Sequence, residues 1–528
     1  MMKKGCFKTA IITGSVVLTG AIMIWLGLNL RGGASRGLRI GPQTTYVESV
    51  DPKSGLVDYA SYLNEKLSAG VTGDNNAVEK LLHLTPHFDA ARYPDSWWNL
   101  LAIRPEDLPS AQPFENSDTV MQLMITEFRK RQDVQGFNRE VKVSALQERL
   151  FHCYSNPWSE AEFPELSTWI QNQNSTLDRI VKASELERFY FPVMATEQTG
   201  LRGNVFPLSQ EIRNFSLGLA LRSMNRLHRQ DIAGCQRDLL SIRRLSHLVG
   251  QGPWLIEELI SSGVGMTARK GELAMAESGL ATIEELSDYF NKLVALPGRQ
   301  DLVQRICVYE RLILLDQICR IAVVGAENVE LHPLIVNRYG PEWVEDMAIS
   351  MVDWNLVLFE VNVFFDQLEI LIEEKDFRKQ NAGIQSLLRD VVAKLKNKRK
   401  PYRIAMAILG GRTSKAKLAS AQVIGDFAFM LPNIINSYQY DLTQEKLLRG
   451  HFALEIFKAT HGHYPADLQQ IPSVKESKLD DPFSDQIFRY QLEQNPRIYS
   501  VGPNSVDDHG QTRFDQLIGD DITVGGIH

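Results

Sequence analysis

The feature that most restricts this chain is the spacing of its apolar residues, which recur at three- and four-residue steps from about residue 53 to about residue 440. A pattern of that period buries one face of each segment only when the segment is an α-helix. The clearest case follows Asp231, where Ile232, Cys235, Leu239, Ile242, Leu245 and Val249 form one stripe before Gly250, Gly252 and Pro253 end it. Thr282 and Glu285 precede Leu286, Tyr289, Phe290 and Leu293, the arrangement of a capping box opening an amphipathic helix. Residues 215–248 read as a helix-turn-helix unit, and longer helices are expected over about 301–324 and 342–374, separated by Gly325, Pro333, Gly340 and Pro341. Such a succession builds either a bundle or a solenoid, and no fixed repeat period selects between them.

Ahead of this body, Thr9 to Leu30 runs for 22 residues without a charge, flanked by Lys3, Lys4 and Lys8 and by Arg31, Arg36 and Arg39. That is long enough to cross a bilayer and longer than the apolar core of a cleaved signal peptide. The expected organisation is a cytoplasmic tail over 1–8, an amino-terminal transmembrane helix over 9–30, a linker over 31–52 and a helical body over 53–440 in one or two subdomains. A short tail and a bulky remainder favour an inside amino terminus. The expected location is a bacterial inner membrane, crossed once, with the body in the periplasm and a protein partner in the envelope.

Composition narrows the chemistry. Fifty-seven Lys and Arg against 64 Asp and Glu leave a net charge of −7, which gives no global attraction for nucleic-acid phosphates. The five cysteines form no CxxC pair, and Cys307 and Cys319, on one expected helix, stand roughly 18 Å apart. The basic run Lys394 to Lys400 reads as a solvated helix end. The chain carries none of the zincin, nucleophile-elbow, P-loop or dinucleotide signatures. His152-Cys153 places an imidazole beside a thiol in sequence only, and Asp346, Asp353 and Glu360 repeat every seven residues, which would stack carboxylates on one helix face. Both are expected to be structural.

Near residue 440 the texture changes to one helix, about Thr443 to Thr460, followed by turns and short β-type runs, a small α+β module over 441–528. Gly462-His463-Tyr464-Pro465, Asp481-Pro482-Phe483, Phe488-Arg489-Tyr490 and Ser500-Val501-Gly502-Pro503-Asn504 follow one another, and an acidic tail ends in Asp520-Asp521-Ile522. The alternation around Phe488 and Tyr499 predicts two antiparallel strands. His461 and His463 flank Gly462 in the expected turn, where a structural role outweighs a metal site.

That ordered set resembles the soluble domain of the major pseudopilins of type II secretion, in which a helix, a G-x-Y-P turn, a D-P-W/F-G turn, a Y-x-Y strand and an S-x-G-x-D-G loop follow in the same order. The chain as a whole resembles uncharacterised membrane-anchored bacterial proteins with helical bodies, in which segments like Asp74-Asn75-Asn76-Ala77 recur. The resemblance implies a calcium-binding final loop, with Asn504, Asp507, Asp508, Asp520 and Asp521 as the candidate ligands. It departs from the family in two places. Counting from Cys6 after Gly5, the position of the family's glutamate is Ala10, and about 410 residues separate Leu30 from Thr443. The functional expectation is a non-enzymatic interaction or scaffold protein, with an accessory of a secretion or pilus-like machine and an envelope hydrolase as alternatives.

Overall fold

The computed structural model describes residues 37–86, 88–104, 148–196, 199–203, 207–299, 301–324, 352–396, 411–471, 479–484, 486–492, 496–512 and 519–524, with short pieces between 106 and 122. In chain order the helices are α1 (Tyr59–Leu67), α2 (Ala77–Leu82), α3 (Asp95–Leu101), α4 (Pro164–Ser184), α5 (Pro207–His228), α6 (Ile232–Val249), α7 (Leu255–Glu277), α8 (Ile283–Val294), α9 (Arg311–Val324), α10 (Trp354–Ile372), α11 (Phe377–Lys396) and α12 (Arg412–His461). Strands β1 (Arg489–Gln491), β2 (Arg497–Ser500) and β3 (Ile522–Thr523) form one antiparallel sheet in the order β1-β2-β3. The protein is mostly helical, and its chain divides into two compact units whose last boundary falls within α12, after Ile434.

The first unit holds residues up to 66, 193–204 and 302–434. Its helices α9 and α10 pack together, and α10 packs on α11. Asn362 of α10 is buried and fully used: its Oδ1 accepts from Arg311 Nε at 2.6 Å, and its Nδ2 donates to the Thr44 carbonyl at 2.6 Å. Asp316 and Arg320 pair one helical turn apart at 3.1 Å, and Asp316 also accepts from the Leu201 N–H at 2.8 Å.

The second unit is built around α5, α6 and α7, each of which touches the other two. The stripe that begins at Ile232 is buried throughout, and Asp231 caps α6 by accepting from the Gly234 N–H. Thr282 and Glu285 form the expected reciprocal box, with the Thr282 N–H on Glu285 Oε2 at 2.8 Å and the Glu285 N–H on Thr282 Oγ1 at 3.2 Å. Asn76, within the Asp74–Ala77 segment, caps α2 and bridges to the Tyr190 backbone, Nδ2 to its carbonyl at 3.1 Å and Oδ1 from its N–H at 3.0 Å. Buried ion pairs fix the second half of α12: Arg243 of α6 pairs with Glu272 and Glu445, Arg269 of α7 meets Asp441 and Glu445 at 2.5 Å each, and Arg299 pairs with Glu258 at 2.7 Å and with Asp441.

The membrane-spanning part of the expected architecture is corrected. Residues 9–30 lie outside the described residues, and the described helix long and apolar enough to cross a membrane is α12, at Arg412–His461 and not at the amino terminus. Local pattern hides this helix. Pro432 and its neighbours Asn433, Asn436 and Ser437 resemble a break, yet the helix runs through Pro432, forgoing the one hydrogen bond a proline cannot donate. About half of the apolar window is buried inside the protein, as in a core helix, while Phe429 and Met430 face outward, Phe429 at 83% exposure.

Three smaller boundaries also differ. The helix expected from Thr443 is the continuation of α12. The segment at 301–324 opens with a π-type turn, Gln304–Glu310, before α9. The helix expected over 342–374 is described from Trp354, because Asp353 accepts from the Leu356 N–H and so caps it.

Candidate metal centre

The site lies beyond β2, where the chain must turn back to deliver β3. Tyr499 pairs with Thr523 and Ser500 with Ile522, so the segment after Ser500 and the segment before Ile522 leave the sheet side by side. The Asp481-Pro482 turn pins their base. Buried Asp481 accepts from the Phe483 N–H at 3.0 Å, from Ser500 Oγ at 2.7 Å and from the Val501 N–H at 2.9 Å.

Glycine permits the close approach that follows. Gly502 sits at φ +65°, and a Cβ there would enter the space of the Asp520 carbonyl oxygen. Cross-bridges then tie the two segments: the Asp521 N–H donates to the Gln511 carbonyl at 3.1 Å, the Gly510 N–H to Asp521 Oδ2 at 2.8 Å and the Asp520 N–H to Asp508 Oδ2 at 3.1 Å.

These bonds draw Asp508, Asp520 and Asp521 into a cluster that could hold a metal ion, each offering an oxygen within 4.8 Å of the others. Asp521 is only 2% exposed, and its Oδ1 and the Oδ1 of Asp520 are buried with no hydrogen bond. A buried carboxylate oxygen without a donor is costly unless a cation meets it. Burial pushes the Asp521 carboxyl up to about 6, and the neighbouring Asp508 and Asp507 charges add to the rise. Burial raises Asp520 as well, with Asp508 contributing. The donor set is all oxygen and anionic, which fits a hard divalent cation rather than a thiophilic one.

The other two candidate residues take different places. Asn504 donates from its backbone N–H to Asp520 Oδ2 at 2.9 Å and from Nδ2 to Asp508 Oδ2 at 3.1 Å, while its Oδ1 accepts from the Val506 N–H at 2.6 Å. It aims two of the clustered carboxylates. Asp507 turns away from the cluster, accepting from Tyr499 Oη at 3.0 Å and pairing with Arg489 at 3.4 Å. The supporting residues Asp481, Ser500 and Gly502 carried no ligand signal, although the Asp-Pro dipeptide and the glycine marked the turns they build.

Among the described residues, Cys153 and Asp353 have structural places. Cys153 is buried and its thiol is pushed up to about 12 by burial, so it stays protonated and unreactive at neutral pH. Burial pushes the Cys319 thiol up to about 12 as well. Asp353 is the α10 cap, and Asp346 lies outside the described residues.

No family model matches the chain, nor does any curated protein or any solved structure.

Proposed function

We propose that this protein is a membrane-associated, non-enzymatic interaction protein whose carboxy-terminal sheet carries a calcium ion between its last two loop segments. The observation that carries the reading is the pair of buried, donor-less Oδ1 atoms of Asp520 and Asp521 beside Asp508. Calcium takes six to eight oxygens in flexible geometry, so three carboxylates plus backbone carbonyls and water suit it better than the near-ideal octahedron that magnesium demands. Membrane association rests on the apolar window of α12 and its outward Phe429.

Thermal unfolding of the full chain in chelator, magnesium and calcium tests the cation. A ligand held only by the folded state, present at a hundred times its dissociation constant, stabilises by about 2.7 kcal/mol. The expected result is a calcium-specific rise in midpoint that disappears in Asp521→Ala. Equal midpoints in calcium and chelator overturn the reading. Flotation of the full chain with lipid vesicles tests the membrane part, and failure of wild type to float removes it.

A second reading, an accessory of a secretion or pilus-like machine, is supported by the contact between two motifs of the sequence resemblance: Asp481 of the Asp-Pro-Phe turn bonds Ser500 at the end of β2 and Val501 just after it. Crosslinking in the native membrane distinguishes it. Recovery of secretion or pilus components favours this reading, and their absence removes it.

A further inference from the structure

We propose that His461 and His463 form a second, chemically different metal site, a surface pair of imidazoles for one borderline divalent transition-metal ion such as Cu2+ or Zn2+. The pair is created by the end of α12. Gly462 stands at φ +79° with its N–H on the Lys458 carbonyl at 2.8 Å, a left-handed cap that reverses the chain and sets the two flanking side chains near one another. Their ring centres are 6.4 Å apart.

The tautomers are set by the backbone. His461 Nδ1 lies 3.0 Å from the Phe457 carbonyl and His463 Nδ1 lies 2.9 Å from the Tyr464 carbonyl. A carbonyl oxygen only accepts, so Nδ1 carries the proton in both rings and each neutral imidazole keeps its lone pair on Nε2. This is the arrangement that metal-binding histidines use, with the far nitrogen hydrogen-bonded so that the ligating one is oriented and more basic. Phe457 stacks on His461 at 4.0 Å and 18°, which restrains that ring against one face.

Ligand distance and charge are both compatible with a shared ion. Two imidazoles bound at about 2.0–2.1 Å to a tetrahedral ion have ring centres roughly 5 Å apart, so a turn of the exposed His463 ring toward the stacked His461 closes the gap. The site sits at the carboxy-terminal end of a long helix, where the backbone dipole favours positive charge. Lys458, on the last turns of the same helix, donates to Tyr464 Oη at 2.9 Å and lies 4.0 Å from Glu455. Two nitrogens leave coordination positions for water or for a donor from another molecule, and imidazole nitrogen selects a borderline ion over calcium.

The experiment titrates the full chain with Cu2+ in the presence of saturating calcium, reading affinity by calorimetry and ligand type by electron paramagnetic resonance. The expected result for wild type is one tight ion with nitrogen coupling from two imidazoles. His461→Ala and His463→Gln should each weaken that ion by about tenfold or more, and the double variant should lose the two-nitrogen signal. Both side chains are exposed, so circular dichroism of the variants should be unchanged. Asp521→Asn should leave Cu2+ binding intact, which separates this site from the acidic cluster. A double variant that binds Cu2+ with wild-type affinity and the same nitrogen coupling overturns the proposal, as does a wild type with no two-imidazole signal.

Discussion

Asn504 holds Asp508 in place through its side-chain amide, Nδ2 to Oδ2 at 3.1 Å, so an uncharged residue orients one of three clustered carboxylates. Replacing the amide tests that role from two directions. Asn504→Ala removes the orienting bond and should weaken calcium binding by about 10–100-fold, the usual effect of losing a partner behind a metal ligand. Asn504→Asp replaces a donor with a fourth negative charge against Asp508, so the chelated protein should melt earlier while the calcium-induced rise in midpoint becomes larger. Calorimetric melts of the three proteins with and without calcium give both quantities.

Stability should depend on pH through Asp521. Its folded carboxyl titrates at about 6, above the ordinary 3.8, because burial disfavours the charged form. A raised folded value means that the folded state binds the proton more tightly, so this group penalises folding above pH 6 and the penalty fades as pH falls from about 7 toward 4. In chelator, wild type should therefore gain stability relative to Asp521→Asn as the pH is lowered through 6. Calcium competes with the proton and should abolish that relative gain. Guanidinium melts of both proteins across this range measure the difference, in which the titration of groups remote from Asp521 cancels.

Gly502 connects backbone geometry to the site. Alanine there combines a left-handed backbone with a Cβ that meets the Asp520 carbonyl oxygen, and the expected cost is about 2–4 kcal/mol. The displaced Asp520 should also reduce calcium affinity. Denaturant unfolding and a calcium titration of Gly502→Ala read the two effects separately.

What local pattern could reach is clear from particular elements. The Ile232–Val249 stripe, the Thr282–Glu285 box and the antiparallel pairing of β1 with β2 are encoded within a few residues of one another. The continuity of α12 is not, because Pro432 carries a local stop signal that the folded chain overrides. The clustered aspartates were visible as acidic residues, but their convergence depends on the Asp521–Gln511 and Asp520–Asp508 bonds, which a linear reading does not contain. The ion pairs of Arg269 with Asp441 and Glu445 lie further out of reach, joining residues 172 and 176 positions apart.

Asn76 illustrates a short motif with a packing function. Three hydrogen bonds use its side chain, from the Val78 N–H at 3.3 Å and to and from the Tyr190 backbone, and all are buried. Asn76→Ala leaves the Tyr190 groups unsatisfied and removes the α2 cap, for an expected loss of about 2–3 kcal/mol. Asn76→Asp keeps the cap but cannot donate to the Tyr190 carbonyl, so it should rescue only part of the loss in urea unfolding.

The Arg269 network makes the sharpest demand on the helical unit. Its guanidinium is buried between Asp441 and Glu445 on α12, and Arg243 and Arg299 share the same two carboxylates. Truncating one member of such a group leaves charge uncompensated in a poorly solvated place, at a cost of about 3–5 kcal/mol. Arg269→Ala should therefore destabilise the protein by that amount. Because the groups are shielded from solvent, adding salt should change the loss far less than it would for an exposed pair. Removing the opposing charges together should recover much of it: Arg269→Met combined with Asp441→Asn and Glu445→Gln takes away the excess negative charge that makes the single change costly and leaves Arg243 with Glu272 and Arg299 with Glu258. Urea melts of the single and triple variants, at low and at high salt, decide whether the network acts as a coupled unit or whether each pair contributes on its own.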